Sequence, residues 1–234
     1  YEDSDIAILN KPSGLLTHKK NEFDDSPSLQ ESLKDQFTID DGENFKEGIV
    51  HRLDKDTSGV IVITKNITSK NKFREMFKER NIKKNYLAFT YGVLNKNNFE
   101  INKNISRNKV QRTKFNISEN FGKNAITKIS SVNTFHGSIS LLNCEIITGR
   151  THQIRVHLLS LGLPIIGDKD YSFNKEQKFR LNNMTNNLRS LISLFPRQAL
   201  HSHKIEFDHP ILEKHIIITC DLPDDMKDLN NNLQ

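Results

Sequence analysis

The feature that most constrains the fold of this chain is a charged loop that leads directly into an apolar run. Residues 48 to 64 read Gly-Ile-Val-His-Arg-Leu-Asp-Lys-Asp-Thr-Ser-Gly-Val-Ile-Val-Ile-Thr. The Val/Ile run at 60–63 is typical of a buried strand, so we expect the preceding loop to lie at the edge of a core. Such a loop can present Asp54 in a fixed geometry, and the neighbouring Arg52 and Lys55 would favour its charged form. The alternative is an aspartate that only caps a turn.

Turn residues and apolar runs divide much of the chain into strand-like segments. These segments lie at 6–10, 48–50, 60–64, 86–93, 126–134, 138–147, 202–207 and 215–220. Helical patterns are fewer. Phe73, Met76 and Phe77 recur at helical spacing and predict a helix over 68–80. A second helix is predicted over 151–161, beginning with a Thr cap and ending before a glycine and a nearby proline.

The balance of these elements indicates the fold class. Strands outnumber the helices that could cross over between parallel neighbours, so a doubly wound parallel sheet is disfavoured. We expect one α/β (α+β) domain over residues 1–224, with a predominantly antiparallel mixed sheet and flanking helices and loops. Residues 174–195 are predicted to be a polar connection, and residues 225–234 a C-terminal tail that is frayed at the asparagines 230–232.

Composition narrows the possible partners without selecting one. The 234 residues include 34 Lys and Arg against 29 Asp and Glu, a net charge of +5 that suits a polyanion but is shared by many proteins. No apolar run approaches roughly 18 residues, so no membrane-spanning segment is predicted. Cys144 and Cys220 lie in strand-like runs, and we expect buried free thiols in a reducing cytoplasm. Because the chain begins at Tyr1 without a signal peptide, we expect a fragment of a cytoplasmic protein.

A second charged segment combines a helical pattern with a cation. Residues 147–158 read Ile-Thr-Gly-Arg-Thr-His-Gln-Ile-Arg-Val-His-Leu. A helix here would hold Arg155 on a rigid element beside its apolar face, and the alternative is an ordinary surface arginine. Arg150 precedes the helix and is expected to make a structural or a phosphate contact. His152 and His157 would lie about 140° apart around a helix, so we expect no metal site there.

The two segments together resemble the signatures of a known enzyme family. His-Arg-Leu-Asp-x-x-Thr-Ser-Gly-Val and Thr-Gly-Arg-Thr-His-Gln-Ile-Arg are similar to the two long signatures of the RluA-type pseudouridine synthases, which isomerise uridine in ribosomal and transfer RNA. Shorter matches follow in the family's order at 10–15, 84–88, 167–171 and 197–201. The resemblance covers about residues 1 to 224.

The resemblance implies roles for individual residues. Asp54 would be the catalytic nucleophile, or a base that starts an elimination. Arg155 would pair with Asp54, and Tyr86 would stack on the flipped uracil close to the reacting carbon. Arg52 would enter the RNA helix where the base was. The reaction breaks the N1–C1′ bond, rotates the uracil and rejoins it through C5, so no cofactor or metal is implied.

The implied partner is RNA, with large-subunit ribosomal RNA as our first expectation and transfer RNA as the second. The RNA-binding candidates are Arg52, Lys55, Arg150, Lys109, Arg112 and Lys114. Three of them lie in the stretch 94–128, which is rich in Asn and Lys. We expect this stretch to be an extended arm, either a positive flap that follows an RNA backbone or a solvated hairpin.

We expect a monomer with no membrane contact. The rival function from another class is a catalytically silent RNA-binding or ribosome-assembly factor on the same fold. The presence of Asp54, Tyr86 and Arg155 together argues against it, because a binding module has no use for this trio.

Overall fold

The computed structural model describes residues 1–19, 23–34, 36, 48–94, 98–172 and 184–234, which divide into two compact units. The first unit comprises Tyr1–Lys84 and Ser202–Asp221, and the second comprises Asn85–His201 and Leu222–Gln234. No helix in the described ranges has the length and apolar character needed to span a bilayer.

Nine strands and five helices lie within the described residues. The strands are β1 (Ile6–Lys11), β2 (Ser58–Thr64), β3 (Lys83–Tyr91), β4 (Asn98–Arg107), β5 (Phe115–Ser118), β6 (Lys123–Phe135), β7 (Ile139–Ile146), β8 (Leu200–Asp208) and β9 (His215–Thr219). The helices are α1 (Leu29–Leu33), α2 (Ile67–Glu79), α3 (Gln153–Ser160), α4 (Asn186–Ser193) and α5 (Asp224–Leu233). The predominance of strands agrees with the predicted fold class.

The first unit contains strands in the order β1-β2-β8-β9, with β1 antiparallel to β2 and β8 antiparallel to β9. All seven residues of β2 are buried, as its Val/Ile run predicts. Helix α2 contributes Phe73 to the same core, where its ring meets that of Phe207 edge-on with 5.2 Å between centroids. The predicted strand at 48–50 is wrong, because only Ile49 bridges to Ile63.

The second unit contains an antiparallel series in the order β3-β7-β6-β4-β5. The long strands β4 and β6 pair over eight residues of each, and β5 extends the pairing beyond them. Much of the predicted arm over 94–128 therefore lies in strands β4, β5 and β6, which turns at 108–114 and 119–122 connect, and residues 95–97 lie outside the described residues. The antiparallel pairing in both units confirms the predicted sheet type.

Helix α3 begins differently from the prediction. No side chain caps its N-terminus, and His152 precedes it in the left-handed region with φ of 57°, so the predicted Thr cap is wrong. Its end follows the prediction, because Gly162 takes φ of 71° and donates its N–H to the carbonyl oxygen of Leu159 at 2.9 Å. Glycine adopts this conformation without strain, which makes it a common residue just after a helix.

Two segments that were predicted to be irregular contain helices. Helix α4 occupies most of the described part of the predicted connection 174–195, of which residues 174–183 lie outside the described residues. The predicted frayed tail at 230–232 is wrong, because these residues lie in α5, which buries Met226, Leu229 and Leu233. The predicted domain boundary at residue 224 stays a prediction.

A charged pair attaches α5 to the rest of the second unit. Arg197 Nε and Nη2 donate to the two carboxylate oxygens of Asp225 at 2.6 and 2.8 Å. The carbonyl oxygen of Arg197 lies so close to Gly167 that a Cβ at position 167 would approach it to 2.0 Å.

The two cysteines form no disulfide, as predicted, with Cys144 buried and Cys220 half-buried.

Candidate active site

Asp54 lies on the loop that leads into β2. It is half-buried, follows the buried Leu53, and is flanked by the exposed Arg52 and Lys55. The backbone N–H of Thr57 donates to the Asp54 carbonyl oxygen at 3.1 Å and closes a turn between the aspartate and the strand. Because Thr57 is buried, this turn is anchored in the core of the first unit. The loop therefore has the position that the Val/Ile run predicted for it.

A buried lysine fixes the main chain next to this loop. Lys11 is 1% exposed, and its Nζ donates to the carbonyl oxygens of Pro12, Leu15 and Lys55 at 2.8, 2.7 and 3.0 Å. A buried ammonium is costly unless its N–H groups are hydrogen-bonded, and these three carbonyl oxygens match its three donors. The segment 10–15, to which no role was assigned from the sequence, therefore supports the Asp54 loop.

A second pair of hydrogen bonds acts on the residue before Asp54. Thr17 Oγ1 donates to the Leu53 carbonyl oxygen at 2.8 Å and accepts from the Leu53 N–H at 3.1 Å. On the other side, Ser13 Oγ donates to the carbonyl oxygen of Asp56 at 3.2 Å. These bonds fix the backbone on both sides of Asp54, and none of them involves its carboxylate.

His51, in the same signature, has a structural role. Its Nε2 accepts from the Val62 N–H at 2.9 Å, and its ring lies 4.9 Å from that of Phe77. Desolvation of the ring, together with the charges of Lys84 and His18, lowers the pKa of His51 to about 3. The imidazole is therefore neutral near pH 7 and uses its lone pair to join the loop to β2.

The signature glycine is required by close backbone packing. Gly59 has φ of +112°, and a Cβ at this position would lie 2.2 Å from the carbonyl oxygen of Ser202. Ser202 Oγ in turn donates to the carbonyl oxygen of Val60 at 3.1 Å. Only glycine allows β2 and β8 to approach this closely immediately after the Asp54 loop.

Tyr86 lies on β3 of the second unit, opposite Cys144 of β7. Its side chain is 5% exposed, and the pairing of β3 with β7 holds its backbone in place. Burial raises the pKa of the Cys144 thiol to about 12, which excludes this cysteine as a nucleophile near neutral pH. The stacking of Tyr86 on a uracil stays a prediction.

Arg155 is a buried residue of α3, so the alternative of a surface arginine is excluded. It is 4% exposed, and its Nε and Nη2 donate to the two carboxylate oxygens of Asp168 at 2.7 and 2.8 Å. Nη2 also donates to Asp170 Oδ2 at 2.9 Å. A bidentate arginine–carboxylate pair combines strong hydrogen bonds with a fixed orientation of the guanidinium. The second unit therefore holds Arg155 in one position.

Asp168 and Asp170 were missed in the sequence, although their segment was recognised. Asp168 Oδ1 also accepts from the backbone N–H groups of Asp170 and Tyr171, each at 3.0 Å. The two aspartates that follow Gly167, on either side of Lys169, were the signal that could have suggested a cation partner. The predicted pairing of Arg155 with Asp54 joins residues of different units and stays a prediction.

Gln153 organises the loop before α3. Its Oε1 accepts from Thr148 Oγ1 at 2.7 Å and from the Arg150 N–H at 3.0 Å, while Nε2 donates to the Ile126 carbonyl oxygen at 2.9 Å. Arg150 Nε donates to the carbonyl oxygen of Asn124 at 3.0 Å. Arg150 thus makes a structural contact, and its contact with RNA phosphate stays a prediction.

The two histidines of this segment have separate partners. His152 Nδ1 lies 2.7 Å from the Tyr171 hydroxyl, and His157 Nδ1 lies 2.8 Å from Thr127 Oγ1. Burial lowers the pKa of His157 to about 4, so this ring is neutral near pH 7. Across the parts of the chain that the structure describes, no group of three His, Cys, Asp or Glu side chains is placed to hold a metal ion.

The basic arm, which we define as residues 98–123, carries the other predicted RNA contacts. Asn108 Oδ1 accepts from the N–H groups of Val110 and Gln111 at 2.8 and 2.9 Å, which shapes the turn between β4 and β5. Three cations follow in or beside this turn, with Lys109 and Arg112 exposed and Lys114 half-buried.

An exposed aromatic ring accompanies these cations. Lys109 Nζ lies 5.9 Å from the centroid of the Phe121 ring, which is 69% exposed. The arm therefore presents positive charge and a flat apolar surface together.

Comparison with protein families identifies the chain. Residues 5–160 match the model of the RNA pseudouridylate synthase family. The chain belongs to this family. The matched range includes Asp54, Tyr86 and Arg155, and it confirms that the sequence encodes a synthase of this isomerase class.

Curated relatives match nearly the whole length of this synthase. The ribosomal large subunit pseudouridine synthase D of Buchnera aphidicola subsp. Acyrthosiphon pisum is 39% identical over 98% of this chain and 71% of its own length. The protein of the same name from Nitrosomonas europaea is 36% identical over 97% of this chain and 62% of its own length. The ribosomal large subunit pseudouridine synthase C of Rickettsia bellii is 34% identical over 95% and 67%. These relatives confirm the resemblance to the RluA-type synthases.

A solved structure confirms the fold class. Human RNA Pseudouridylate Synthase Domain Containing 4 superposes with a TM-score of 0.73 at 25% identity. The alignment covers 100% of this synthase and 91% of the human chain.

Proposed function

We propose that this synthase converts specific uridines of large-subunit ribosomal RNA to pseudouridine. The names of the relatives support the choice of RNA. The observation that carries the chemistry is the position of Asp54, which is half-buried on a loop held by Lys11 and Thr17. A catalytic carboxylate needs this combination, because substrate must reach the side chain while the backbone stays in place.

Asp54 starts the reaction in one of two ways. It attacks C1′ of the ribose as a nucleophile, or it removes a sugar proton and begins an elimination. In both cases the N1–C1′ bond breaks, and the uracil stays bound and rotates. In the first route C5 then bonds to C1′ and displaces the Asp54 carboxylate. In the second route C5 adds to C1′ of the sugar double bond, and Asp54 returns the abstracted proton to the sugar. The proton on C5 then leaves to a base and N1 gains a proton, so the product is an isomer of the substrate. No oxidant, reductant or group donor is consumed.

Tyr86 and Arg52 act on the flipped base. Tyr86 stacks on the uracil, and its place in a pair of antiparallel strands supports this role because the pairing holds the residue rigidly. Its hydroxyl or Asp54 accepts the C5 proton. Arg52 is exposed, which supports its entry into the RNA helix. Filling the gap there offsets part of the few kcal/mol that unstacking and unpairing of a base costs.

Arg155 is the ion partner of Asp54 in this proposal. Its bonds to Asp168 and Asp170 through Nε and Nη2 fix the orientation of the guanidinium. Fixing the guanidinium in advance reduces the reorganisation that the reaction requires. The support for this role is the buried, rigid setting of Arg155 on α3.

The basic arm contacts the RNA backbone. Exposed cations lower the electrostatic cost of approaching phosphates, and the loss of each contact reduces the salt dependence of binding. Lys109 and Arg112 have the exposure that such contacts need, and Lys114 is partly exposed.

We also propose that the synthase acts as a cytoplasmic monomer, because one chain carries every residue to which this proposal assigns a role.

Pseudouridine mapping in total RNA tests the proposal. Cells that lack the gene should lose pseudouridine at particular large-subunit sites, and the wild-type gene should restore it. Loss confined to transfer RNA would replace the ribosomal assignment. Unchanged pseudouridine in all RNA would contradict the proposed activity and favour the catalytically silent binding factor.

A further inference from the structure

Tyr171, which lies in neither long signature, contacts three different groups of the second unit. Its hydroxyl oxygen accepts from the Phe115 N–H at 2.8 Å and lies 2.7 Å from His152 Nδ1. The Arg155 guanidinium carbon lies 4.8 Å from the centroid of its ring. The side chain is 4% exposed, and all of these contacts lie within the second unit.

The hydroxyl oxygen of Tyr171 accepts from the Phe115 N–H, because a backbone N–H can only donate. The second hydrogen bond joins the hydroxyl to His152 Nδ1, and its direction follows the tautomer of the imidazole. Burial raises the pKa of Tyr171 to about 12, so the hydroxyl keeps its proton near pH 7.

The two hydrogen-bond partners of the Tyr171 hydroxyl lie at the starts of α3 and β5. His152 has φ of 57° and immediately precedes α3, the helix that carries Arg155. A non-glycine residue in this region costs free energy and persists where its surroundings hold it. The Tyr171 hydroxyl is one such contact, because it binds the side chain of this residue.

The other partner is the first residue of β5, in the basic arm. The Phe115 ring lies 5.5 Å from the Arg107 guanidinium carbon and 5.5 Å from the His152 ring centroid. Around them, Tyr171 packs in one buried cluster with Ile105 of β4. Tyr171 is therefore in contact with the arm, the start of α3 and the guanidinium of Arg155 at once.

We propose that Tyr171 is a positioning residue for the isomerisation. Its ring supports the Arg155 guanidinium, and its hydroxyl holds the start of α3 and the basic arm in one arrangement. This inference rests on the proposed role of Arg155. It predicts that loss of the hydroxyl slows the chemical step on bound RNA by a larger factor than it weakens RNA binding.

Two substitutions separate the hydroxyl from the ring. Tyr171→Phe keeps the ring beside Arg155 and loses both hydrogen bonds, and Tyr171→Leu loses the ring as well. We expect Tyr171→Phe to slow single turnover on saturating RNA by about tenfold, and Tyr171→Leu to slow it further. The RNA dissociation constant should rise by a smaller factor than the rate falls, because the hydroxyl also contacts the basic arm. Tyr91→Phe is the matched control, because Tyr91 is a buried tyrosine of the same unit, and its rate should not change.

Thermal melting of each variant shows whether it is folded at the assay temperature, and Tyr171→Phe decides alone if Tyr171→Leu does not fold. A single-turnover rate equal to wild type for Tyr171→Phe on saturating RNA would overturn the inference. A lower melting temperature or a weaker RNA affinity of this variant would not change that conclusion. Arg155→Lys is measured in parallel. If Arg155→Lys is slow and Tyr171→Phe is normal, only this inference fails. If Arg155→Lys reacts normally, the proposed role of Arg155 fails with it.

Discussion

The Asp54 loop is held by buried hydrogen bonds, whereas the basic arm presents cations to solvent. Lys11 donates to three carbonyl oxygens, one of them that of Lys55 next to Asp54, and Arg155 is fixed by two carboxylates. By contrast, Lys109 and Arg112 are exposed on a hairpin turn. Breaking a buried charge pair leaves an uncompensated charge in the protein interior, which lowers the free energy of unfolding. Exposed charges instead interact with RNA through solvent, and salt screens this interaction. Substitutions in the two regions should therefore affect the chemical step and RNA binding separately.

The largest effect is expected from removing the buried guanidinium. Arg155→Ala leaves Asp168 buried without its partner, so the free energy of unfolding should fall by about 3 to 5 kcal/mol. Urea unfolding measures this loss, and single turnover on saturating RNA should also become much slower. Asp170→Asn is the control, because that carboxylate is 49% exposed and its loss should cost less than about 1 kcal/mol. An equal loss of unfolding free energy in the two variants would show that the buried Arg155–Asp168 pair stabilises the protein no more than the Asp170 contact does.

Lys11→Met tests the support of the Asp54 loop. The substitution keeps most of the side-chain volume and removes the donor from three carbonyl oxygens, so we expect a loss of about 3 kcal/mol in the free energy of unfolding. Lys72→Met is the matched control, because Lys72 is exposed and donates to one carbonyl oxygen, that of Pro210. Its cost should be within about 0.5 kcal/mol. If Lys11→Met is as stable as the control, the loop is fixed by other contacts.

Tyr86→Phe separates stacking from proton transfer. The ring remains while the hydroxyl is lost, so turnover should fall by about a hundredfold, the lower range for removal of a general acid or base. RNA affinity should remain within about twofold, as judged by binding titration. Normal turnover would remove the hydroxyl from the mechanism and leave only the stacking role.

Neutralising the arm should give the smallest effect on chemistry. Replacing Lys109, Arg112 and Lys114 with Gln should weaken RNA binding and reduce the slope of log affinity against log salt by about 0.7 to 0.9 for each lost phosphate contact. Single turnover on saturating RNA should not change.

The control for the arm removes the same charge elsewhere. It replaces the exposed Lys78, Lys214 and Lys227 with Gln. An equal change in slope for the two triple variants would attribute the effect to net charge, and an unchanged slope in the arm variant would make the arm a solvated hairpin.

Local patterns predicted the parts of the site that depend on neighbouring residues. The Val/Ile run at 60–63 predicted a buried β2 and therefore a fixed Asp54 loop, because burial of a strand constrains the residues that enter it. The partners of Lys11 could not be predicted, because its bond to the Lys55 carbonyl oxygen joins segments 44 residues apart.

The same limit applies to Arg155, Asp168 and Tyr171. Their contacts depend on how the chain turns back after α3, and no periodicity encodes that path.

Helix α5 was missed for a different reason. Its asparagines have low helix propensity, but Met226, Leu229 and Leu233 recur at helical spacing and are buried, so tertiary packing overrode propensity.

Release of tritium from C5-labelled uridine in RNA, compared between wild type and Asp54→Asn, tests the central claim most directly. The substitution keeps the shape of the side chain and removes its charge and nucleophilicity. The account predicts less than about 1% of wild-type release, a loss of at least about 2.7 kcal/mol in transition-state stabilisation, with the melting temperature and RNA affinity nearly unchanged. Release above that level by folded, RNA-bound Asp54→Asn would contradict the assignment of Asp54 as the group that starts the reaction.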